Sequence, residues 1–213
     1  MTDIFIDQLV KGLKPVNRLR DRTLWNYSFI GLGLSILFIM MLWGIRPDYG
    51  PAMDSGAMYW KFGIFLVAFL GSIFLIAKLS RPTYRLNLWH FLPLAGADVI
   101  FLWQLIVQAQ NNSFSEMTHS LSDSTAISCV MTILIGGAVG LWLCWRLWLS
   151  KTASTDPMIL GALTGLATGS LAGTAYALHC DIDDILYIAV YYYGSIMLLC
   201  VVGAILGSRY LRW

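Results

Sequence analysis

The stretch Tyr176-Ala-Leu-His179-Cys180-Asp181-Ile-Asp183-Asp184 crowds a thiol, an imidazole and three carboxylates into one short segment. A thiolate is a nucleophile and a ligand for soft metals, and imidazole is a natural co-ligand. The carboxylates would raise the local concentration of cations while disfavouring the thiolate electrostatically. The chain has three other cysteines, Cys129, Cys144 and Cys200. It has neither a CxxC motif nor a four-ligand zinc spacing. Any thiol chemistry must therefore join residues far apart in the chain, and the elements that carry them decide whether it can.

Those elements read as membrane spans. Of 213 residues, 58% are hydrophobic and 12% charged, and the mean hydropathy is +0.68. A soluble domain carries roughly 25% charged residues. Six apolar runs reach the length of about 20 residues that crosses a hydrocarbon core about 30 Å thick. They lie near 24–44, 60–78, 88–109, 126–149, 157–179 and 185–208. The expected fold is an all-α membrane protein: a six-helix transmembrane bundle over 24–213, with a short amphipathic cytoplasmic N-terminal helix in a tail over 1–23. Neither a cleaved signal peptide nor a soluble domain is expected.

Lys and Arg accumulate on the cytoplasmic side of such proteins. Here they cluster in the tail, in the second and fourth connections with their flanks, and at the C-terminus. Only Arg46 and Lys61 fall on the other side, among Asp48, Asp54, Glu116, Asp123, Asp181, Asp183 and Asp184. Both termini are thus expected in the cytoplasm, with the Cys180 loop facing outward. Cys129 then lies about one turn inside the outer end of the fourth span, and Cys180 lies at the outer end of the fifth. Consecutive antiparallel spans tend to be neighbours, so these thiols can approach each other. In an oxidising compartment such as a periplasm they suit a redox pair, or a soft-metal site with His179. The alternative is two unpaired small residues at helix ends. Cys144 and Cys200, in the inner halves of their spans, read as packed small hydrophobes.

In the tail, Ile6, Leu9, Val10 and Leu13 share one face of a helix that Pro15 should end, and Arg18, Arg20 and Arg22 follow. A helix of about 11 residues is marginal alone in water. It suits either an anionic lipid surface or a groove on a cytoplasmic protein. Asp98, in the middle of the third span, suggests an ion relay or a hydrogen bond to Thr164, Thr168 or Ser170. His90, near the inner end of that span, suits snorkelling or capping. Gly161, Gly165, Gly169 and Gly173 form a stripe that admits another backbone, making the fifth span central to the bundle or to a dimer. Trp25, Trp60, Trp89, Trp145, Trp148 and Trp213 read as interfacial belts.

The chain resembles the NrsF-like family of six-span bacterial anti-sigma factors. Five segments carry the resemblance: Leu13-Lys-Pro-Val-Asn-Arg-Leu19, Gly44-Ile-Arg-Pro-Asp48, Cys129, Tyr176-Ala-Leu-His-Cys180 and Leu211-Arg-Trp213. Members often follow the Cys with Pro-Glu-Asp; this chain keeps the acidity in Asp181-Ile-Asp-Asp184 but not the proline. The resemblance implies a non-enzymatic regulator of the bacterial inner membrane that holds an ECF-type sigma factor and does not itself touch nucleic acid. It implies a sigma-binding tail, with Ile6, Leu9, Val10, Leu13, Arg18 and Arg20 as contacts. It also implies that Cys129 and Cys180, with His179 beside them, sense oxidants or heavy metals. No obligatory cofactor is implied; soft-metal binding at Cys129, Cys180 and His179 and a homodimer stay open. The rival expectations are a membrane thiol oxidoreductase, which would want a closely spaced cysteine pair, and a small transporter. The transporter would use Asp98 in a helix broken by Pro93 and Gly96.

Overall fold

The computed structural model describes residues 20–81, 87–152 and 154–211. Ile6, Leu9, Val10, Leu13 and Arg18 of the tail lie outside these residues, as do Arg212 and Trp213. Among the described residues, six helices are long and apolar enough to cross a membrane. They are α1 (Asp21–Leu42), α2 (Ala57–Leu79), α3 (Leu92–Asn111), α4 (Ala126–Leu147), α5 (Pro157–Tyr176) and α6 (Ile185–Tyr210). Among the described residues there is no strand. The ends agree with the hydropathy runs to within a few residues, because a 20-residue helix is about 30 Å long and its apolar stretch is cut to that length.

Local chemistry sets the ends. α1 stops where Gly44 adopts φ 77°, and α2 starts after Gly56 at φ 76°. Glycine takes this left-handed conformation without a Cβ clash. A short helix, Tyr49–Asp54, lies between them. A 3₁₀ turn, Leu88–Phe91, precedes α3, and Asn87 and His90 close a reciprocal capping box there. The capping role expected of His90 is the one found. Pro93 falls in the first turn of α3, where its missing N–H costs nothing. The helix runs on through Gly96, so the break expected near Asp98 is absent. α6 is the irregular one: Ile188–Tyr193 form a π-helical segment between α-helical Ile185–Tyr187 and Gly194–Tyr210.

α5 is the centre of the bundle, touching α6, α2, α4 and α1. Its small residues make this possible. A Cβ on Gly161 would strike the carbonyl oxygen of Gly203, and one on Gly165 would strike that of Leu199. Gly203 and Gly207 face Gly161 and Pro157 just as closely from α6, so the glycine stripe meets a second pair at four-residue spacing. Close backbone contact is what associates helices where no hydrophobic force acts between them. α3, by contrast, leans mainly on α2.

Two sequence expectations need correction. Trp148 does not sit in an interfacial belt: it is buried, and its indole N–H donates to Ser80 Oγ at 2.9 Å. A buried indole N–H needs a partner, and Ser80 supplies it. Asp98 is not hydrogen-bonded to α5. Thr164 Oγ1 donates to Leu160 O and Thr168 Oγ1 to Gly165 O, both within the helix, while Ser170 Oγ has no partner. Asp98 lies exposed on the flank of α3.

Most of the buried apolar side chains fall into two clusters. One, at the Cys180 end, includes Phe65, Cys129, Ile133, Cys180, Tyr187 and Tyr192. The other, toward the opposite end, includes Phe69, Ile73, Ile76, Trp148, Leu160 and Leu163. α1, α2 and α5 contribute buried residues to both, and α4 reaches the second through Trp148 just past its end.

Candidate functional site

The two thiols singled out by sequence lie in the same buried cluster, Cys129 0% and Cys180 5% exposed. Both are free thiols. Cys129 is placed by the first turn of α4, where its N–H donates to Thr125 O at 3.0 Å. The turn leading into it is held by Asp123, whose Oδ1 accepts from Thr125 N at 2.7 Å, and this bond holds the Asp123 carboxyl below its usual range. Cys180 is placed by the unwinding end of α5, where its N–H still donates to Tyr176 O at 3.1 Å.

The π-helical segment presses tyrosines around these sulfurs. A π-turn widens the helix and is common at functional sites. Tyr187 and Tyr192 are both fully buried beside Cys129. The Tyr187 hydroxyl lies 3.4 Å from Thr125 Oγ1. The Tyr192 hydroxyl has no oxygen or nitrogen partner, although it lies close to both thiols. Tyr191 reaches the other way, its hydroxyl donating to Leu121 O at 2.6 Å and tying α6 to the loop before α4.

His179 does not join the thiols as the sequence suggested it might. Its Nδ1 is 3.2 Å from Gly44 O, and its ring lies edge-on to Tyr176 and tilted against Trp43. The imidazole is thus committed to the exit of α1. Among the described residues, no three His, Cys, Asp or Glu side chains gather as a group able to hold a metal.

Two residues that sequence reasoning passed over dominate the electrostatics. Arg46, 2% exposed, donates from Nε and Nη2 to the Asp48 carboxylate, both at 2.7 Å. It also donates to the Asp183 carboxylate at 3.0 and 2.8 Å and to Asp181 O at 3.1 Å. Lys61 is 0% exposed; its Nζ donates to Cys180 O at 2.9 Å, Ile182 O at 2.7 Å and Asp183 Oδ1 at 3.3 Å. The ammonium also sits 5.5 Å above the Tyr192 ring. From α3, Gln108 donates to Asp183 O at 3.0 Å and accepts from Ile185 N at 2.8 Å. The loop after Cys180 is therefore stapled to α2, α3 and the exit of α1.

This arrangement revises the role expected of the acidic loop. Asp183 is spent on two buried cations and is not available to concentrate free ones. Its partner Arg46 is held ever more firmly charged, chiefly by the hydrogen bond to Asp48 and against the cost of burial. The same hydrogen bond holds the Asp48 carboxyl below its ordinary value. A signal was present in the sequence: Arg46 and Lys61 are the only cations on the acidic side of the charge count, each at a span end.

A sequence model of the family described as negative regulator of sigma F, NrsF, matches residues 9–213. The probable anti-sigma-F factor NrsF of Azospira oryzae is 27% identical over 188 residues, spanning 86% of this chain and 85% of its own. The anti-sigma-F factor NrsF of Caulobacter vibrioides is 28% identical over 225 residues, spanning 100% of this chain and 99% of its own. No solved structure matches significantly.

Proposed function

The chain belongs to the NrsF family of negative regulators of sigma F, and on that premise we propose that it is a membrane-embedded anti-sigma factor whose paired thiols control release of an ECF-type sigma factor. A regulator of this family has a sigma factor as its partner, and its work is binding, not turnover. In this proposal the six helices lie in the bacterial inner membrane with both termini cytoplasmic. The tail around Ile6, Leu9, Val10 and Leu13, with Arg18 and Arg20, holds the sigma factor as a helix in a groove.

The observation that carries the sensory half is the burial of Cys129 and Cys180 in one cluster at the end of the bundle away from the tail's junction with α1. Two thiols so placed can pass two electrons and two protons to a peroxide-class oxidant, forming one S–S bond and releasing water. They can instead lose two protons and bind a soft heavy-metal ion between them. Either event draws α4 and the end of α5 together and disturbs the second cluster through the helices the two clusters share. Moving release from about 1% to about 99% requires the trigger to favour the released state by about 5.5 kcal/mol. Covalent or thiolate–metal bonds are strong enough for that, whereas weak ion binding at a surface is not.

The tail is tested by deleting residues 1–19 from the otherwise complete chain and reading sigma-dependent transcription together with co-purification of the sigma factor. The expected result is constitutive transcription and loss of co-purification with the membrane protein still present. Repression that persists without the tail would place sigma binding elsewhere.

A further inference from the structure

We propose that Arg46, Lys61 and Asp183 form a latch that keeps Cys180, and with it Cys129, inside the bundle, so that opening the latch governs how readily the thiols react. The proposal takes its biological use from the sensory reading above, but its chemistry can be measured without that reading.

The geometry of the loop carries the argument. Cys180 is followed by a segment with no helical hydrogen bonding until Ile185, so backbone structure does not hold it in place. Gln108 ties its far end, at Asp183 O and Ile185 N, and two cations hold the part next to the thiol. An ammonium has three N–H donors, and those of Lys61 meet the carbonyls of Cys180 and Ile182 and the Asp183 carboxylate. Arg46 takes the carbonyl between them, Asp181 O, and the same Asp183 carboxylate. Its own N–H donates to Leu178 O at 3.2 Å, just before the cysteine. Asp183 is thus the shared anion of two buried cations, one from the first turns of α2 and one from the turn after α1.

Any reagent that reaches Cys180 must move the loop, because the thiol is only 5% exposed. Moving it strips Lys61, which is 0% exposed, of the acceptors that surround it, and a buried charge that loses its partners is costly. The closed state is therefore favoured by what opening would do to Lys61 and Arg46, beyond the packing of the sulfur itself. Asp181 is a useful contrast, because its side chain is exposed and only its backbone carbonyl takes part.

The test uses the purified full chain in detergent, with Cys144→Ala and Cys200→Ala, and a water-soluble maleimide followed by mass spectrometry. Lys61→Met and Asp183→Asn should each speed labelling of Cys180 by about tenfold or more, the scale of losing a hydrogen bond to a charged group. Asp183→Glu should stay near the parent rate, and Asp181→Asn should equal it. If Lys61→Met fails to fold, Asp183→Asn decides, since it leaves Lys61 its two carbonyl acceptors. Parent-like rates in folded Asp183→Asn, or equal acceleration by Asp181→Asn, would overturn the latch. Sigma-dependent transcription in cells with the same variants separates the two ideas. Faster labelling with unaltered regulation leaves the latch standing and removes the sensory reading; unchanged labelling removes the latch whatever transcription does.

Discussion

Lys61 and Arg46 show how a charge can be buried without becoming a liability. Each is surrounded by acceptors: three for the ammonium, and two carboxylates and a carbonyl for the guanidinium. Their presence on the acidic side was legible in the sequence; their burial was not. Charge counting treats a Lys or Arg near a span end as a solvated topology marker. Nothing local distinguishes that from an internal ion pair whose partner is more than a hundred residues away. For the same reason the sequence joined His179 to the cysteines by adjacency, whereas the turn after α5 points its imidazole toward Gly44. One consequence concerns acid. The hydrogen bond from Arg46 holds the Asp48 carboxyl below the ordinary carboxylate range, so its contribution to stability is fully present at neutral pH and is lost as pH falls through the lowered value. The melting temperature of the detergent-solubilised chain should therefore exceed that of Asp48→Asn at neutral pH, with the difference closing in strong acid. A difference that is constant down the acid limb would mean that the Arg46 pair does not act this way.

At the scale of elements, the glycines of α5 do more than the large apolar residues. The six spans were legible because length and hydropathy are set by the bilayer, and the stripe from Gly161 to Gly173 marked α5 as central. The answering pair on α6, Gly203 and Gly207, was equally visible at four-residue spacing but carried no label saying which helix it faces. The π-helical turn at Ile188–Tyr193 was illegible, since a run of apolar and aromatic residues fits an α-helix equally well. Contact at Gly165 is backbone to backbone, with a Cβ striking Leu199 O, while Gly33 has open space around it. Overfilling a tight contact costs about 1–3 kcal/mol or more. Gly165→Leu should thus lower the membrane level of the protein several-fold, whereas Gly33→Ala should leave it at the parent level in the same immunoblot. Equal levels for both would mean that the α5–α6 contact is looser than described.

At the scale of the whole molecule, two buried clusters are stacked along shared helices. A change at the thiols has α2, α4 and α5 through which to reach the opposite end, where α1 begins immediately after the tail. There Arg81, just past the end of α2, pairs with Asp21 in the first turn of α1. Most of this plan follows from the sequence, because charge and hydropathy lay out a bundle and the family resemblance points to a sigma factor. What required coordinates was the loop that closes the thiol end.

The most direct test of the account measures sigma-dependent transcription in cells carrying Cys129→Ser, Cys180→Ser or both, before and after exposure to a peroxide or a soft heavy metal. Repression at the parent level beforehand and loss of induction in all three variants are expected. Induction of the double variant to the parent level would contradict the sensory reading.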